Sequence, residues 1–171
     1  MIYTAGMMDY SKHFDTIRGA VADEIQAIVG QDDLPLYDMV RYHLGFVDVD
    51  GKPGRGGGKA LRPLFCCLAC EAVAGDWRPA LGAAAALELT HNFTLVHDDI
   101  EDGDLERRHQ PTVWARWGLA QGINAGDAVW VLAWQALARA AEQGVPAATV
   151  VACSRRLAAC CRELTEGQFL D

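Results

Sequence analysis

Three features of the sequence predict an all-α fold. Apolar residues recur at three and four along most of the chain, glycine and proline are confined to a few short breaks, and no period-two alternation lasts beyond a few positions. At 171 residues the chain has the length of one domain and can bury a real core.

The first helix is predicted from Tyr10 to Val29, where Phe14, Ile17, Val21, Ile25 and Ile28 form one stripe and Gly30 follows as a C-cap. A short second helix is expected over Asp32–Leu44. The stretch from Val47 to Gly58 is the clearest loop, punctuated by Gly and Pro. Ala60–Ala74 reads as a helix with Pro63 tolerated in its first turn, and Gly75-Asp76 ends it. Ala80 to about Asp102 is predicted as one long helix, rich enough in Ala for close approach to its neighbours. Gly103–Thr112 is polar and expected to be a loop. Ala125–Ala141 and Ala147 to about Leu170 complete the set, separated by Gly144 and Pro146. Their apolar faces are too broad for isolated helices in water, so they need partners.

Composition narrows the function classes. Hydrophobic residues make up 51% and charged residues 22%, ordinary for a globular protein. A net charge of −8 at pH 7 argues against nucleic-acid binding, which needs a basic stripe to neutralise phosphates. It does not exclude a small anionic ligand, because the basic residues cluster at Lys52–Arg62 and at Arg107-Arg108. The opening MIYTAGMMDYSKHFD lacks the basic-then-apolar order of a secretory signal, and no stretch is long and apolar enough to span a bilayer. A cytoplasmic, reducing setting is therefore expected, in which the six cysteines stay free. Cys67 and Cys70, with Cys160 and Cys161, supply enough thiolates for a zinc site. Their helical context suits small buried core residues better.

Three constellations point to one kind of ligand. In His97-Asp98-Asp99-Ile100-Glu101-Asp102, Asp98 and Asp102 are one turn apart on one helix face, where like charges repel unless a cation lies between them. Acids are also disfavoured at a helix C-terminus, so the cluster stands in a costly place. Mg²⁺ suits such carboxylates, filling its other positions with water and phosphate oxygens. A solvated acidic helix end is the plainer alternative. In Gly56-Gly57-Gly58-Lys59-Ala60-Leu61-Arg62-Pro63, glycines lead into a helix start carrying two cations, a combination that can hold a diphosphate. It is not a P-loop, since Ala60 stands where Ser or Thr would be needed. A flexible basic loop would look similar. Arg107-Arg108 follow the acidic helix, suited to phosphates on either side or to surface ion pairs with Asp102, Asp104 or Glu106. His91 lies two turns before Asp98 on the same face; alone, a helix histidine is more often structural. All three constellations ask for pyrophosphate, and none asks for a nucleotide base.

In this order, the residues resemble the trans-isoprenyl diphosphate synthase (polyprenyl synthetase) family, most closely its geranylgeranyl and farnesyl diphosphate synthases. Asp98-Asp99-Ile100-Glu101-Asp102 resembles its DDxxD motif, and Gly57–Pro63 its isopentenyl diphosphate element. Arg107-Arg108 with Pro111-Thr112 resembles its RRxxPT segment, and Glu166-Gly167-Gln168 its EGQ. The resemblance implies an all-helical isoprenoid synthase fold, of which residues 1–171 would be the N-terminal half. It implies a Mg²⁺-dependent prenyltransferase that condenses an allylic diphosphate with isopentenyl diphosphate. Lys59, Arg62 and His91, assisted by Arg108, would hold isopentenyl diphosphate. Asp98 and Asp102, supported by Asp99, would ligate Mg²⁺, and Arg107 would contact the allylic diphosphate. Asp98, Asp102, Lys59 and Arg107 are thus the expected catalytic residues. A C15 to C20 product is expected from Phe93, five residues before Asp98.

Two departures stand out. His109 replaces the glycine usual after the paired arginines, and the family's second aspartate-rich motif would lie beyond Asp171. Half an active site is therefore expected, along with a homodimer or pairing with another helical chain. A non-catalytic subunit is the competing reading. A terpene cyclase shares the acidic motif but has no use for an isopentenyl site, and a simple helical interaction module would leave the three clusters a coincidence.

Overall fold

The computed structural model of the chain describes residues 10–30, 33–54 and 56–170. Residues 1–9 of the opening segment, the expected Asp32 start of the second helix and Arg55 of the basic loop lie outside them. Among the described residues seven α-helices run in chain order: α1 (Tyr10–Val29), α2 (Pro35–His43), α3 (Leu61–Ala74), α4 (Leu81–Glu101), α5 (Val113–Trp117), α6 (Leu119–Glu142) and α7 (Ala147–Leu170). A 3₁₀ turn at Arg78–Ala80 leads into α4, and β1 (Glu106–Arg107) pairs antiparallel with β2 (Gln110–Pro111).

The centre is the packing of α4 on α6. Ala84 and Ala85 on α4, and Ala133 and Ala136 on α6, are fully buried, so the two backbones come close. Gly82 marks the tightest point: a Cβ there would stand 2.8 Å from the Ala136 carbonyl oxygen and 2.9 Å from Ala140 Cβ. Around this pair α1 lays down Ile17, Val21, Ile25 and Val29, four residues apart, with Phe14 and Ile28 of the expected stripe only partly buried. Leu89 and Cys67 fill the interior from α4 and α3, and full burial of a leucine contributes about 2 kcal/mol. Polar contacts tie α1 to its neighbours, a His13–Glu71 hydrogen bond at 2.8 Å and an Arg139–Glu24 ion pair at 3.0 Å.

Three segments differ from the sequence expectation, one of them the unpredicted short helix α5. The predicted loop over 103–112 contains the β1–β2 hairpin, whose two-residue strands are too short to show a period. The helix expected from Ala125 begins six residues earlier, at Leu119. Its first turns carry Gly122 and Gly126, poor helix formers that tertiary packing requires: a Cβ at Gly122 would meet Trp114, and one at Gly126 would meet the His97 ring. The outer helix α7 buries only Leu157 among its described residues and exposes Val151, Leu164, Phe169 and Leu170. Among the described residues, no helix is long and apolar enough to cross a membrane.

Candidate active site

The acidic cluster closes α4. Helix α4 ends at Glu101, and Asp102 is its C-cap, donating its backbone N–H to the Asp98 carbonyl while Gly103 donates to that of Ile100. The helix's negative end therefore adds to the carboxylates. Burial first, and then Glu101 and Asp102, push the Asp98 carboxyl above its usual range, with Arg107 and His97 pulling it down less. Asp99 points the other way. It is buried, and its Oδ1 accepts from Arg107 Nε at 2.6 Å. Burial raises its carboxyl too, and Arg107 only partly offsets this. Among the described residues, no three or more His, Cys, Asp or Glu side chains converge as a ready-made metal cage.

The β1–β2 hairpin aims both arginines. Its two turn residues, Arg108 (φ 54°) and His109 (φ 63°), both lie in the left-handed region, as a two-residue hairpin turn with the strands' twist requires. This explains why glycine suits position 109. Arg107 on β1 is held back against Asp99, while Arg108 at the turn reaches the glycine loop. The hairpin is anchored at its base: Tyr42 Oη donates to the Pro111 carbonyl at 2.7 Å, and Thr112 Oγ1 and Trp114 Nε1 both donate to the Asp104 carbonyl. Thr112 also caps α5 by accepting from the Ala115 amide. The Pro-Thr pair is thus what docks the hairpin.

The glycine loop folds back on the end of α2. Gly54, Gly56 and Gly57 donate their amides to the carbonyls of Phe46, Gly45 and Leu44. Those three amides are therefore taken up within the chain. The glycines serve close approach instead: a Cβ on Gly57 would overlap the Arg108 guanidinium, and one on Gly58 would stand 3.1 Å from Arg108 Nη2. The helix following the loop starts at Leu61, with Ala60 held left-handed at φ 45° before it. Lys59 and Arg62 are exposed on either side of that start.

Between the end of α2, the glycine loop and the hairpin lies a cleft of about 250 Å³. Its walls include Tyr42, His43, Gly57, Asp99, Arg107 and Arg108. Behind it, on α4, Glu88, His91 and Asn92 form a polar strip on an otherwise Ala-rich helix. Burial first, then Arg62, Arg108 and Arg107, hold His91 below the usual histidine range. Burial raises the Glu88 carboxyl, against the pull of Asn92, Arg108 and Arg62. His43 is displaced furthest, lowered to about 3 by burial and then by Arg108 and Arg107. Arg62, Arg107, Arg108 and His91 thus share one electrostatic neighbourhood, while Asp98 and Asp102 stand at the helix end beside it. Lys59, Arg62 and His91 lie outside the cleft walls. The sequence reading missed His43, Glu88 and Asn92. Glu88 and Asn92 were detectable as polar residues four apart on an apolar helix; His43 carried no signal.

Beside the acidic end, Phe93 contacts the rings of His97 and Trp130, each at 4.8 Å between centroids, and Trp130 packs edge-on against Trp134 at 5.4 Å. Gln168, from the EGQ segment on α7, donates to Glu101 at 3.0 Å and brings α7 onto the acidic cluster. Cys67 is fully buried, its thiol pushed up to about 12 by burial and neighbouring thiols, and Cys70 Sγ donates to the Asp76 carbonyl at 3.3 Å.

Comparison with known proteins places the chain among related sequences and folds. A sequence model described as polyprenyl synthetase matches residues 54–171. The chain is 44% identical over 134 residues to a (2E,6E)-farnesyl diphosphate synthase of Mycobacterium tuberculosis, covering 78% of this chain and 36% of that protein. It is 40% identical over 161 residues to a geranylgeranyl diphosphate synthase of Methanosarcina mazei, covering 94% and 44%. In three dimensions it matches the crystal structure of a polyprenyl synthetase from Streptomyces coelicolor with a TM-score of 0.81 at 36% identity, covering 94% of this chain and 46% of the other. A geranylgeranyl pyrophosphate synthetase from Geoglobus acetivorans gives a TM-score of 0.80, with 92% and 48% covered. The chain spans less than half the length of each of these proteins.

Proposed function

The chain belongs to the polyprenyl synthetase family, with its all-α isoprenoid synthase fold, and from that premise we propose that it carries the diphosphate-binding half of a Mg²⁺-dependent prenyltransferase. The reaction is the head-to-tail condensation of an allylic diphosphate with isopentenyl diphosphate, giving a C15 to C20 product. The observation that carries this reading is the pairing of Asp99 with Arg107 at 2.6 Å. It leaves Asp98 and Asp102 as the two carboxylates not engaged by that arginine, and it directs a guanidinium toward the same helix end.

Two hard carboxylates fit Mg²⁺, which typically takes one or two from the protein and completes its shell with phosphate oxygens and water. No preformed cage is needed. Asp98 and Asp102 would hold the ion, with Asp99 supporting them through Arg107. When bound, the ion would neutralise charge on the allylic diphosphate.

The protein's own groups do the rest. Arg107 contacts the allylic diphosphate and stabilises the electron pair that leaves with pyrophosphate as the C–O bond breaks. Lys59, Arg62 and Arg108 hold isopentenyl diphosphate, with neutral His91 accepting or donating a hydrogen bond without competing for phosphate charge. The isopentenyl double bond attacks the allylic carbon, and loss of a proton restores the alkene. Phe93, backed by Trp130, closes the hydrocarbon path one turn from the acids and limits product length. The site keeps water from the cation with apolar helix faces.

A second reading is a non-catalytic subunit. It is favoured by the apolar side chains that α7 exposes, which association with another helical chain or a second copy would cover. One experiment separates the two. The purified chain is incubated with Mg²⁺, labelled isopentenyl diphosphate and each allylic diphosphate, and the prenyl products are sized. Turnover that Asp98→Ala abolishes supports the enzyme reading. Absence of turnover, with isopentenyl diphosphate still bound, supports the subunit.

A further inference from the structure

The interior behind the cleft holds a buried polar chain that the reaction as proposed does not use. Asn92 Nδ2 donates to the Glu88 backbone carbonyl at 2.8 Å and to Glu88 Oε1 at 3.4 Å. The other end of the same amide, Asn92 Oδ1, is buried without a partner, and so is Nε2 of His43. The two groups are neighbours, since the Asn92 side chain acts on the His43 imidazole as a hydrogen-bonding group. An unsatisfied acceptor beside an unsatisfied ring nitrogen is a pair that a small rotation joins. Leaving both orphaned would cost more than the bond itself contributes. Joined in this way, the pair would place the ring proton on Nε2.

The chain then continues to the cations. Glu88 is buried and lies in the field of Arg108 and Arg62. His43 itself lines the cleft whose other wall is Arg107 and Arg108, and it feels both guanidinia. A charged imidazole there would repel the arginines. A neutral ring that donates inward leaves their N–H groups turned to the cleft.

We propose that His43 is a positioning residue of the diphosphate cradle: through Asn92 it holds Glu88, the carboxylate that orients Arg62 and Arg108. The role rests on the diphosphate-binding reading above. It makes α2 part of the substrate site although α2 carries none of the motif residues. Loss of the His43 bond frees the Asn92 amide to turn, and Glu88 with it. The arginines then sample orientations that face one another or solvent, and anion affinity falls while the cleft itself remains.

The test uses inorganic pyrophosphate as probe and the whole chain as protein. Calorimetry compares wild type, His43→Leu and His43→Gln, with thermal melts to confirm folding. Gln keeps an N–H able to reach Asn92. The expected result is pyrophosphate binding weakened roughly five- to ten-fold by Leu, about one buried hydrogen bond, and restored to within about two-fold by Gln. Ring ¹⁵N shifts should place the His43 proton on Nε2, and the Arg108 Nε–H resonance should move in the Leu variant. A merely structural role would not produce that movement. A folded His43→Leu variant with wild-type affinity and an unmoved Arg108 resonance overturns the proposal. Failure of wild type to bind pyrophosphate overturns the cradle instead, and the role of His43 with it.

Discussion

Replacing Asp98 with Asn should raise the melting temperature of the metal-free chain, although Asp98 is the carboxylate on which the proposed chemistry most depends. The substitution keeps the shape and removes one charge. That charge is opposed from three directions: partial burial, the carboxylates of Glu101 and Asp102, and the negative end of α4. Like charges three or four residues apart on a helix cost about 0.2–0.5 kcal/mol each. An acid in the last turn costs about 0.3–1 kcal/mol more. Together these give about 1–2 kcal/mol, or a rise of about 2–8 °C for a chain of this size. The dependence on pH has a definite sign. The folded-state pKa of Asp98 lies above its unfolded value, so ionisation weakens the fold. That penalty is fully present above the folded pKa and disappears as pH falls through it toward the unfolded value. The advantage of Asn should therefore be seen at neutral pH and vanish in acid. Melting followed by far-UV circular dichroism, at low salt with a chelator, measures it. Adding Mg²⁺ with pyrophosphate should then stabilise wild type and not the variant. An Asp98→Asn variant that melts at or below wild type without metal would refute the claim that this cluster is kept at the expense of stability.

Four further substitutions probe the frame that holds the site. Gly82→Ala drives a Cβ into Ala136 and Ala140 where α4 crosses α6, so unfolding in urea should show a loss of about 1–3 kcal/mol, despite the better helix propensity of Ala. His109→Gly relieves a left-handed residue whose side chain is fully exposed. Glycine's looser unfolded chain offsets part of that relief, leaving a net gain of about 0.5–1 kcal/mol, read as a small rise in melting temperature. The Asp99–Arg107 pair should respond asymmetrically. Burial outweighs Arg107 in setting the Asp99 carboxyl, so Asp99→Asn should be nearly neutral. Arg107→Met, which strands a buried carboxylate, should cost about 2–4 kcal/mol. Denaturation of both single variants and the double variant measures the difference.

What the sequence made legible follows from the range of the forces involved. Helix α1 was readable to the residue because one apolar stripe and Gly30 specify it locally. The acidic end of α4 and the double arginine were readable because their charges are adjacent in sequence. The early start of α6 was not, since Gly122 and Gly126 look like breaks until Trp114 and His97 are seen packed against them. Helix α5, five residues long, and the β1–β2 hairpin are too short for any period to register. The cleft itself was invisible in the same way. Its wall joins His43, Gly57 and Arg108 from three separate segments, and three loop amides are bonded to the carbonyls of Leu44–Phe46 just after α2. Helix spacing already put Asp99 on a different face from Asp98 and Asp102, but only the fold shows what that face meets, by turning Asp99 inward onto Arg107.

The most direct test of the central claim is a calorimetric titration of the chain with isopentenyl diphosphate, repeated with Lys59→Ala and Arg62→Ala. If this chain carries the isopentenyl diphosphate cradle, wild type binds saturably and each substitution weakens binding by about ten-fold, the loss of one charge-assisted contact. Absence of binding, or binding that neither substitution changes, would contradict it.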